Sequence, residues 1–327
     1  MIITRTPLRI TLGGGGTDLP SYYERHGGYV ISAAIDKYVY IGVHHTFTDE
    51  YFIKYSSLER VSRVDEIQHP IVREALRLHD VPPAIEVVSL ADIPAGTGLG
   101  SSGSFTVGLL RALYALKREH VTAGALAEEA CSIEIDRLAQ PVGKQDQYIA
   151  AFGGLTCFEF GHSGRVRVSP LAISNETLHD LEEHLVMFFT GYSRQASVVL
   201  EDQKQRSEAG DGRMFDSLHM VKKLGMATKE ALEAGDTAHF AALMHEHWLH
   251  KKERSAGITS DEINRWYDLG IEHGALGGKL VGAGAGGFLL FYTRDRLRLR
   301  DAMAEQGLTE LRFSFDHDGS TVTARGT

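Results

Sequence analysis

Apolar residues recur along the chain at strand-like and helix-like intervals, and these intervals predict its elements. In the first half, β-branched and aromatic residues dominate 29–47, which predicts long or paired strands. Shorter strand patterns lie at 84–90, 154–160 and 165–168, and helical spacing predicts helices over 69–80, over 105–117 and from Thr122 to a break at 140–143. Strands and helices therefore alternate in this half.

The second half is richer in helix. A strand-like run at 184–190 is followed by mainly helical sequence to about residue 273. A strand at 287–293, a helix at 294–306 and a last strand at 308–315 complete the prediction. Because no repeat or low-complexity linker marks a boundary, we divide the chain by this change of character into domains 1–175 and 176–327.

Composition narrows the classes of partner. Apolar residues make up 43% and charged residues 24%, as in an ordinary globular protein, and the net charge is −9. A negative total argues against nucleic acid or an anionic membrane as a partner. No apolar run approaches the ~18 residues of a membrane span, the amino terminus lacks a signal-peptide pattern, and two cysteines make no disulfide framework. We therefore expect a cytoplasmic protein.

Glycine is in excess, at 35 of 327 residues, and 15 of these glycines lie in three short segments. The first segment is a strand from Pro7 that runs into Gly13, Gly14, Gly15 and Gly16 and then meets Thr17 and Asp18. Consecutive glycines let a ligand approach the backbone closely. A flexible hairpin with a surface aspartate explains the same spacing equally well.

The second segment lies between a predicted strand and a predicted helix. Amides at the start of a helix have no partner within the helix and favour phosphate. Alternating glycines would allow that approach, and serine hydroxyls could cap the helix or hold a cation. The residues of this predicted phosphate loop are Gly96, Gly98, Leu99, Gly100, Ser101, Ser102 and Gly103.

The third segment contains Gly282-x-Gly284-x-x-Gly287, which matches the dinucleotide-binding fingerprint. That fingerprint opens a helix, whereas this segment leads into the strand-like sequence FLLFY. We therefore do not interpret it as an NAD site. Lys279, among small residues, fits a loop that packs against a phosphate-bearing site.

Together the three segments resemble the motifs of the GHMP kinases, in the same order and over nearly the whole chain. Pro94-x3-Gly-Leu-Gly-Ser-Ser resembles the ATP-phosphate loop of that family, and Gly278-Lys-x2-Gly-x-Gly-x-Gly-Gly its carboxy-terminal motif. The resemblance implies an α+β two-domain fold, with an amino-terminal ATP-binding domain like ribosomal protein S5 domain 2 and a ferredoxin-like carboxy-terminal domain. The active site would lie between them.

The same resemblance implies roles for individual residues. Asp146 would be the catalytic base, and Arg9 would neighbour it, keeping it ionised and stabilising the transferring phosphoryl group. Ser102 and Glu134 would hold Mg²⁺ with ATP, although Glu134 also suits a solvated helix face. The sugar would contact Gly15, Gly16, Thr17 and Asp18. A phosphate on the sugar would need cations, for which Lys144, Arg194, Lys251 and Lys252 are candidates that the sequence does not rank; we choose Lys144 and Arg194.

Within the family, the segment TPLRITLGGGGTDLPSYYERHGGYVISAAIDKYVYIGV resembles the D-glycero-α-D-manno-heptose 7-phosphate kinases. This implies phosphorylation of O1 to the 1,7-bisphosphate, for GDP-heptose and bacterial surface polysaccharide. Another sugar kinase, such as an L-fucose kinase, or a non-catalytic sugar and nucleotide sensor remain the alternatives. The expected partners are therefore ATP and a sugar phosphate, and a homodimer is compatible with the sequence.

Overall fold

The computed structural model describes residues 1–191, 197–254, 257–284 and 286–326. Its first sheet runs in the order β12-β1-β2-β5-β3-β4, and β6 and β7 extend it beside the first half of β2. These strands are β1 Ile2–Gly13, β2 Gly28–His45, β3 Tyr51–Lys54, β4 Leu58–Val61, β5 Ile85–Ala91, β6 Leu155–Phe160, β7 Val166–Pro170 and β12 Thr321–Arg325.

The long pair β1–β2 brings the first glycine segment to the site. The strands pair antiparallel from Ile2 opposite Val43 to Gly13 opposite Ile31. The register shifts after Pro7, which has no amide hydrogen to contribute to the ladder. The glycine turn thus follows directly from the end of β1, beside the centre of the sheet.

Five helices belong to this part of the chain: α1 Pro20–His26, α2 Pro70–Leu78, α3 Ser101–Lys117, α4 Ala123–Cys131 and α5 Gln145–Phe152. The α4 helix starts where Thr122 accepts a hydrogen bond from the amide of Ala125. It continues into a wider π-helical turn at Ser132–Arg137. Apolar side chains of α3, α4 and α5 pack with those of the sheet in one core.

The second sheet has the strand order β11-β8-β10-β9, from β8 Leu185–Phe189, β9 Ala275–Leu280, β10 Phe288–Thr293 and β11 Thr309–Leu311. With helices between β8 and β9 and between β10 and β11, this is a ferredoxin-like βαββαβ arrangement. Its helices are α6 Asn175–His184, α7 Ser197–Glu208, α8 Gly212–Glu233, α9 Thr237–Arg254, α10 Asp261–Glu272 and α11 Arg296–Glu305. No helix within the described ranges is long and apolar enough to cross a membrane.

Strand β10 shows how this sheet is packed on both faces. Phe288, Leu290 and Tyr292 belong to the core shared with the first sheet, whereas Leu289 and Phe291 belong to a second core beneath α10 and α11. Successive residues of a strand face opposite sides. The shared core therefore joins the two sheets and fixes the walls of the space between them.

The structure confirms the predicted fold and most predicted elements, but it also contains helices α1 and α6, which were not predicted. The predicted strand at 308–315 is regular only over Thr309–Leu311, and the short strands β3 and β4 were not predicted. Strand β12 was also missed; it pairs with β1, so the end of the chain returns to the first sheet. The division at residue 175 stays a prediction.

Candidate active site

A cavity of about 940 Å³ opens between the two sheets, and residues of all three glycine segments line it. One part is largely apolar, with His69 stacked on Phe105 at 4.8 Å and with Val39, Ile71, Leu90 and Ile93. The other part is polar and charged, lined by Arg9, Asp18, Asp146, Gln203, His247, Lys251, Arg254 and Lys279. The cavity therefore offers an apolar slot beside a strongly polar pocket.

The predicted phosphate loop has the backbone that its alternating glycines require. Gly96, Gly98 and Gly100 have φ of +78°, +82° and +78°, where residues with a Cβ are strained. Ser101 then begins α3, whose first residues line the cavity. The unpaired amides of this helix start can receive an anion.

The third glycine segment is built against this loop. A Cβ on Gly98 would lie 2.8 Å from the carbonyl oxygen of Val281, and a Cβ on Gly282 would lie 2.6 Å from the Cα of Gly98. A Cβ on Gly287 would lie 2.2 Å from the carbonyl oxygen of Thr97. The Gly282 segment leads into β10 rather than into a helix, so its glycines serve loop packing.

Arg9 and Asp146 meet at the start of α3. Nε and Nη2 of Arg9 donate to the two carboxylate oxygens of Asp146 at 2.7 and 3.0 Å. Nη1 donates to the carbonyl of Gly98 at 2.5 Å, and the Arg9 amide donates to the carbonyl of Leu99 at 2.9 Å. This two-point ion pair fixes the carboxylate next to the phosphate loop.

A second carboxylate lies beside the pair. Oδ1 of Asp18 accepts from the amide of Gly16, and Oδ2 accepts from the amide of Gln145, each at 3.1 Å. Burial, followed by the charge of Asp146, raises the pKa of Asp18. A Cβ on Gly143 would lie 1.9 Å from Asp18 Oδ2. The contact of Asp18 with the start of α5 therefore requires glycine at position 143.

Glu134 lies in the π-helical turn and is fully buried. Ser102 donates to one of its carboxylate oxygens at 2.5 Å, and the side-chain amide of Gln147 donates to the other at 3.0 Å. Burial raises the pKa of Glu134, and the two donors partly oppose that change. The structure thus brings together the two predicted metal ligands.

Three buried cations complete the polar part: Lys251 and Arg254 on α9, and Lys279 on β9. Desolvation lowers the pKa of all three, to about 7 for Lys279 and to about 10 for Arg254. The sequence indicated Lys279 through its glycine segment. Lys251 was among the cations considered for the sugar phosphate, but Arg254 was missed, and its i, i+3 spacing from Lys251 on one helix face was the available signal.

Comparison with known proteins identifies the family. The model of the GHMP kinase N-terminal domain matches residues 68–154, and that of the GHMP kinase C-terminal domain matches residues 228–308. The D-glycero-α-D-manno-heptose 7-phosphate kinase of Campylobacter jejuni is 32% identical over 97% of each chain. The chain belongs to the GHMP kinase family. It is an ATP-dependent carbohydrate kinase, and thus a phosphotransferase.

Two further relatives show how the GHMP kinase fold is shared. The L-fucokinase/L-fucose-1-P guanylyltransferase of Bacteroides fragilis is 27% identical over 92% of this chain, which spans 36% of that longer protein. A crystal structure of a D-glycero-D-manno-heptose 1-phosphate kinase from Bacteroides thetaiotaomicron superposes with a TM-score of 0.81 over the whole of both chains, at 24% identity. This likeness shows the fold.

Several residues predicted for this GHMP kinase do not line the cavity. The Lys144 amine donates to Glu128, at 2.9 Å, and to the carbonyl of Gly164, at 3.0 Å, and Lys144 does not line the cavity. Thr17 is buried and bonds to the carbonyls of Gly14 and Tyr29. Leu99 and Glu134 are fully buried, Gly103 packs closely against Asp146 and Gln147 of α5, and none of the three lines the cavity. Arg194 lies outside the described residues.

Proposed function

We propose that this chain is a cytoplasmic, Mg·ATP-dependent kinase that phosphorylates O1 of D-glycero-α-D-manno-heptose 7-phosphate to the 1,7-bisphosphate, for GDP-heptose and surface-polysaccharide synthesis. The observation that carries the proposal is the two-point Arg9–Asp146 ion pair at the start of α3. It places a carboxylate between the phosphate loop and the first glycine segment. The relative from Campylobacter jejuni supports the choice of sugar.

ATP would bind with its phosphates on the loop from Gly96 to Ser102. The helix-start amides and the positive end of the α3 dipole favour negative charge there. The base of the nucleotide would occupy the apolar slot, where His69 and Phe105 offer a stacked pair of rings. Transfer would then take place where the loop meets Arg9.

Ser102 and Glu134 fit a magnesium site. Mg²⁺ prefers oxygen ligands and keeps one or two from the protein, with phosphates and waters completing its shell. A hydroxyl and a fully buried carboxylate form this donor set, and the buried charge has no cationic partner among the described residues. The ion would neutralise charge on the ATP phosphates.

Asp146 would accept the proton of the anomeric hydroxyl as O1 attacks the γ-phosphorus atom. The bond to the bridging oxygen of ADP breaks in the same displacement, and ADP leaves. Arg9 holds the carboxylate in place with two hydrogen bonds, and the relatively acidic anomeric hydroxyl needs only a weak base. The guanidinium also stands where charge on the transferring phosphoryl group would need stabilisation.

The sugar would lie along the first glycine segment. Gly15, Gly16 and Asp18 line the cavity there, and Asp18 is anchored by two backbone amides. An aspartate held in this way can orient sugar hydroxyls without moving.

The test is a panel of acceptors with ATP and Mg²⁺: heptose 7-phosphate, the unphosphorylated heptose, L-fucose and galactose. We expect heptose 7-phosphate to be preferred and ³¹P and ¹H NMR to show the new phosphate on C1. Turnover of the unphosphorylated sugars with none of the heptose phosphate would refute the substrate. The Asp146→Asn variant should lose turnover, whereas exposed Asp136→Asn should not; binding without any wild-type turnover would favour a sensor.

A further inference from the structure

The cations of α9 and β9 form a cluster that has no carboxylate partner in the part of the chain that the structure describes. Lys251, Arg254 and Lys279 are 8%, 7% and 3% exposed, and no ion pair involves them within the described residues. Leaving several cations buried and unpaired is costly, and the cost is offset when an anion binds among them. The cluster therefore points to a bound anionic group.

The position of the cluster indicates whether it lies near the acceptor or near ATP. Nζ of Lys279 donates to the carbonyl of Leu12 at 3.0 Å, one residue before the first glycine segment. Nη1 of Arg254 lies 3.0 Å from the position of a Cβ on Gly16. A Cβ on Gly100, in the phosphate loop, would instead lie next to Arg9 and Asp146. Arg254 thus lies on the side of the acceptor rather than on that of ATP.

Lys251 links Arg254 to the third glycine segment. It lies one helical turn before Arg254, and its amine donates to the carbonyls of Leu280, at 3.1 Å, and of Gly282. Two carbonyl acceptors hold the amine, but no carboxylate among the described residues neutralises its charge. Lys251 lines the cavity, and an ammonium group has three hydrogens to donate.

One donor group of Arg254 has no hydrogen-bond partner among the residues that the structure describes. Its Nε donates to Ser217 at 3.1 Å and its Nη1 to Gln203 at 3.4 Å, while Nη2 is buried with no hydrogen-bond partner among the described residues. Gln203 also donates to the carbonyl of Gly16 at 2.8 Å, so it ties the guanidinium to the first glycine segment. Arg206 donates to the Arg254 carbonyl at 2.7 Å and fixes the end of α9.

We infer that Arg254 and Lys251, with Lys279 beside them, form the subsite for the phosphate group that the sugar acceptor itself carries. The inference rests on the proposed function and names the class of acceptor as a sugar monophosphate. A planar guanidinium matches a phosphate dianion in a two-point contact, and ammonium groups add point charges. These residues replace Lys144 as the phosphate-binding candidates, since Lys144 is committed to Glu128.

The experiment compares phosphorylated and unphosphorylated heptose in the full-length protein. For Arg254→Met we expect kcat/KM for heptose 7-phosphate to fall about 100-fold, as for loss of a buried charged contact, with KM for ATP unchanged. Activity on unphosphorylated heptose should change less than about threefold. Lys252→Met is the matched control, because that half-buried lysine lies over Trp248 and does not line the cavity.

Phosphite dianion separates a phosphate subsite from a structural role. Added phosphite should activate wild-type turnover of unphosphorylated heptose and should fail to activate Arg254→Met, and Arg254→Lys should recover part of the effect. Equal losses on both sugars, or a raised KM for ATP, would overturn the inference. So would a loss on heptose 7-phosphate confined to Lys144→Met.

A binding measurement distinguishes failure of this inference from failure of the proposed function. If the wild type does not phosphorylate heptose 7-phosphate, the proposed function fails by itself. Calorimetric titration with inorganic phosphate then still tests the subsite: binding that is lost in Arg254→Met and Lys251→Met but kept in Lys252→Met supports it. Equal binding by all four proteins contradicts it, and thermal melts confirm that each variant is folded.

Discussion

Replacing Arg9 by methionine should destabilise the protein most at neutral pH. The change removes both contacts to Asp146 and the contact to Gly98, and leaves Asp146 and Asp18 facing each other without a cation. Breaking a buried ion pair from one side costs about 3–5 kcal/mol. Because the Asp146 side chain is 26% exposed, solvent screens part of that cost, and we expect about 2–3 kcal/mol.

The Asp146→Asn variant should behave differently. It also breaks the ion pair, but it removes the charge that raises the pKa of Asp18. The two effects oppose each other, so we expect a stability change within about 1 kcal/mol together with a loss of turnover of at least about 100-fold. Combining the two changes should give a protein more stable than Arg9→Met alone, since no carboxylate at position 146 is then stranded.

The sign of the pH dependence follows from Asp18. A carboxyl whose native pKa lies above its unfolded value of 3.8 makes the folded state less stable as pH rises above that value. The penalty in Arg9→Met should therefore shrink as pH falls and Asp18 becomes protonated.

The assay for these variants is urea unfolding of wild type, both single variants and the double variant at pH 5 and pH 7.5, with turnover measured in parallel. A cost below about 1 kcal/mol for Arg9→Met, or a double variant no more stable than Arg9→Met, would refute the electrostatic account.

Three further predictions concern neighbouring parts of the site. Gly143→Ala should lower Tm and raise KM for the sugar, because its Cβ would displace the Asp18 carboxylate. At Gly124 there is space for a Cβ, so Gly124→Ala should change neither quantity. Thermal melts measure Tm, and initial rates measure KM. Lys279, whose pKa is lowered to about 7, must take up a proton to hold an anion at higher pH. KM for heptose 7-phosphate should therefore rise above pH 7, by up to tenfold per unit, and Lys279→Met should flatten that profile. Ser102→Ala should raise the Mg²⁺ concentration for half-maximal rate about 10–100-fold, and an unchanged midpoint would contradict its role as a ligand.

The glycine segments predicted from the sequence which parts of the chain line the cavity of the candidate site. Positive φ at Gly96, Gly98 and Gly100 is a local property of the chain, and glycine is the residue that accepts it without strain. The contact between Gly98 and Gly282 joins residues far apart in the sequence, but both are glycines in glycine-rich segments. Where two backbones approach this closely, at least one partner must lack a Cβ, so such contacts raise the glycine content of the segments that make them.

The direction in which a side chain points could not be predicted from the sequence as the glycine turns could. Lys144 lies two residues before Asp146, yet Glu128 on the preceding helix draws its amine away from the cavity. Strand β12 was missed because its side chains are exposed or half-buried and do not alternate between apolar and polar. It forms a strand because it pairs with the edge of β1 that β2 leaves open. In each case a partner distant in the sequence decides the outcome.

The same reasoning explains how a chain of net charge −9 builds a cationic pocket. Arg9 is paired with Asp146, whereas Lys251, Arg254 and Lys279 have carbonyl, hydroxyl and amide partners among the described residues. Surface carboxylates set the net charge but are screened by water and do not reach these groups. Among the described residues, the cations without a carboxylate partner are concentrated where α9 and β9 meet the first glycine segment, so an anionic acceptor bound there would neutralise them.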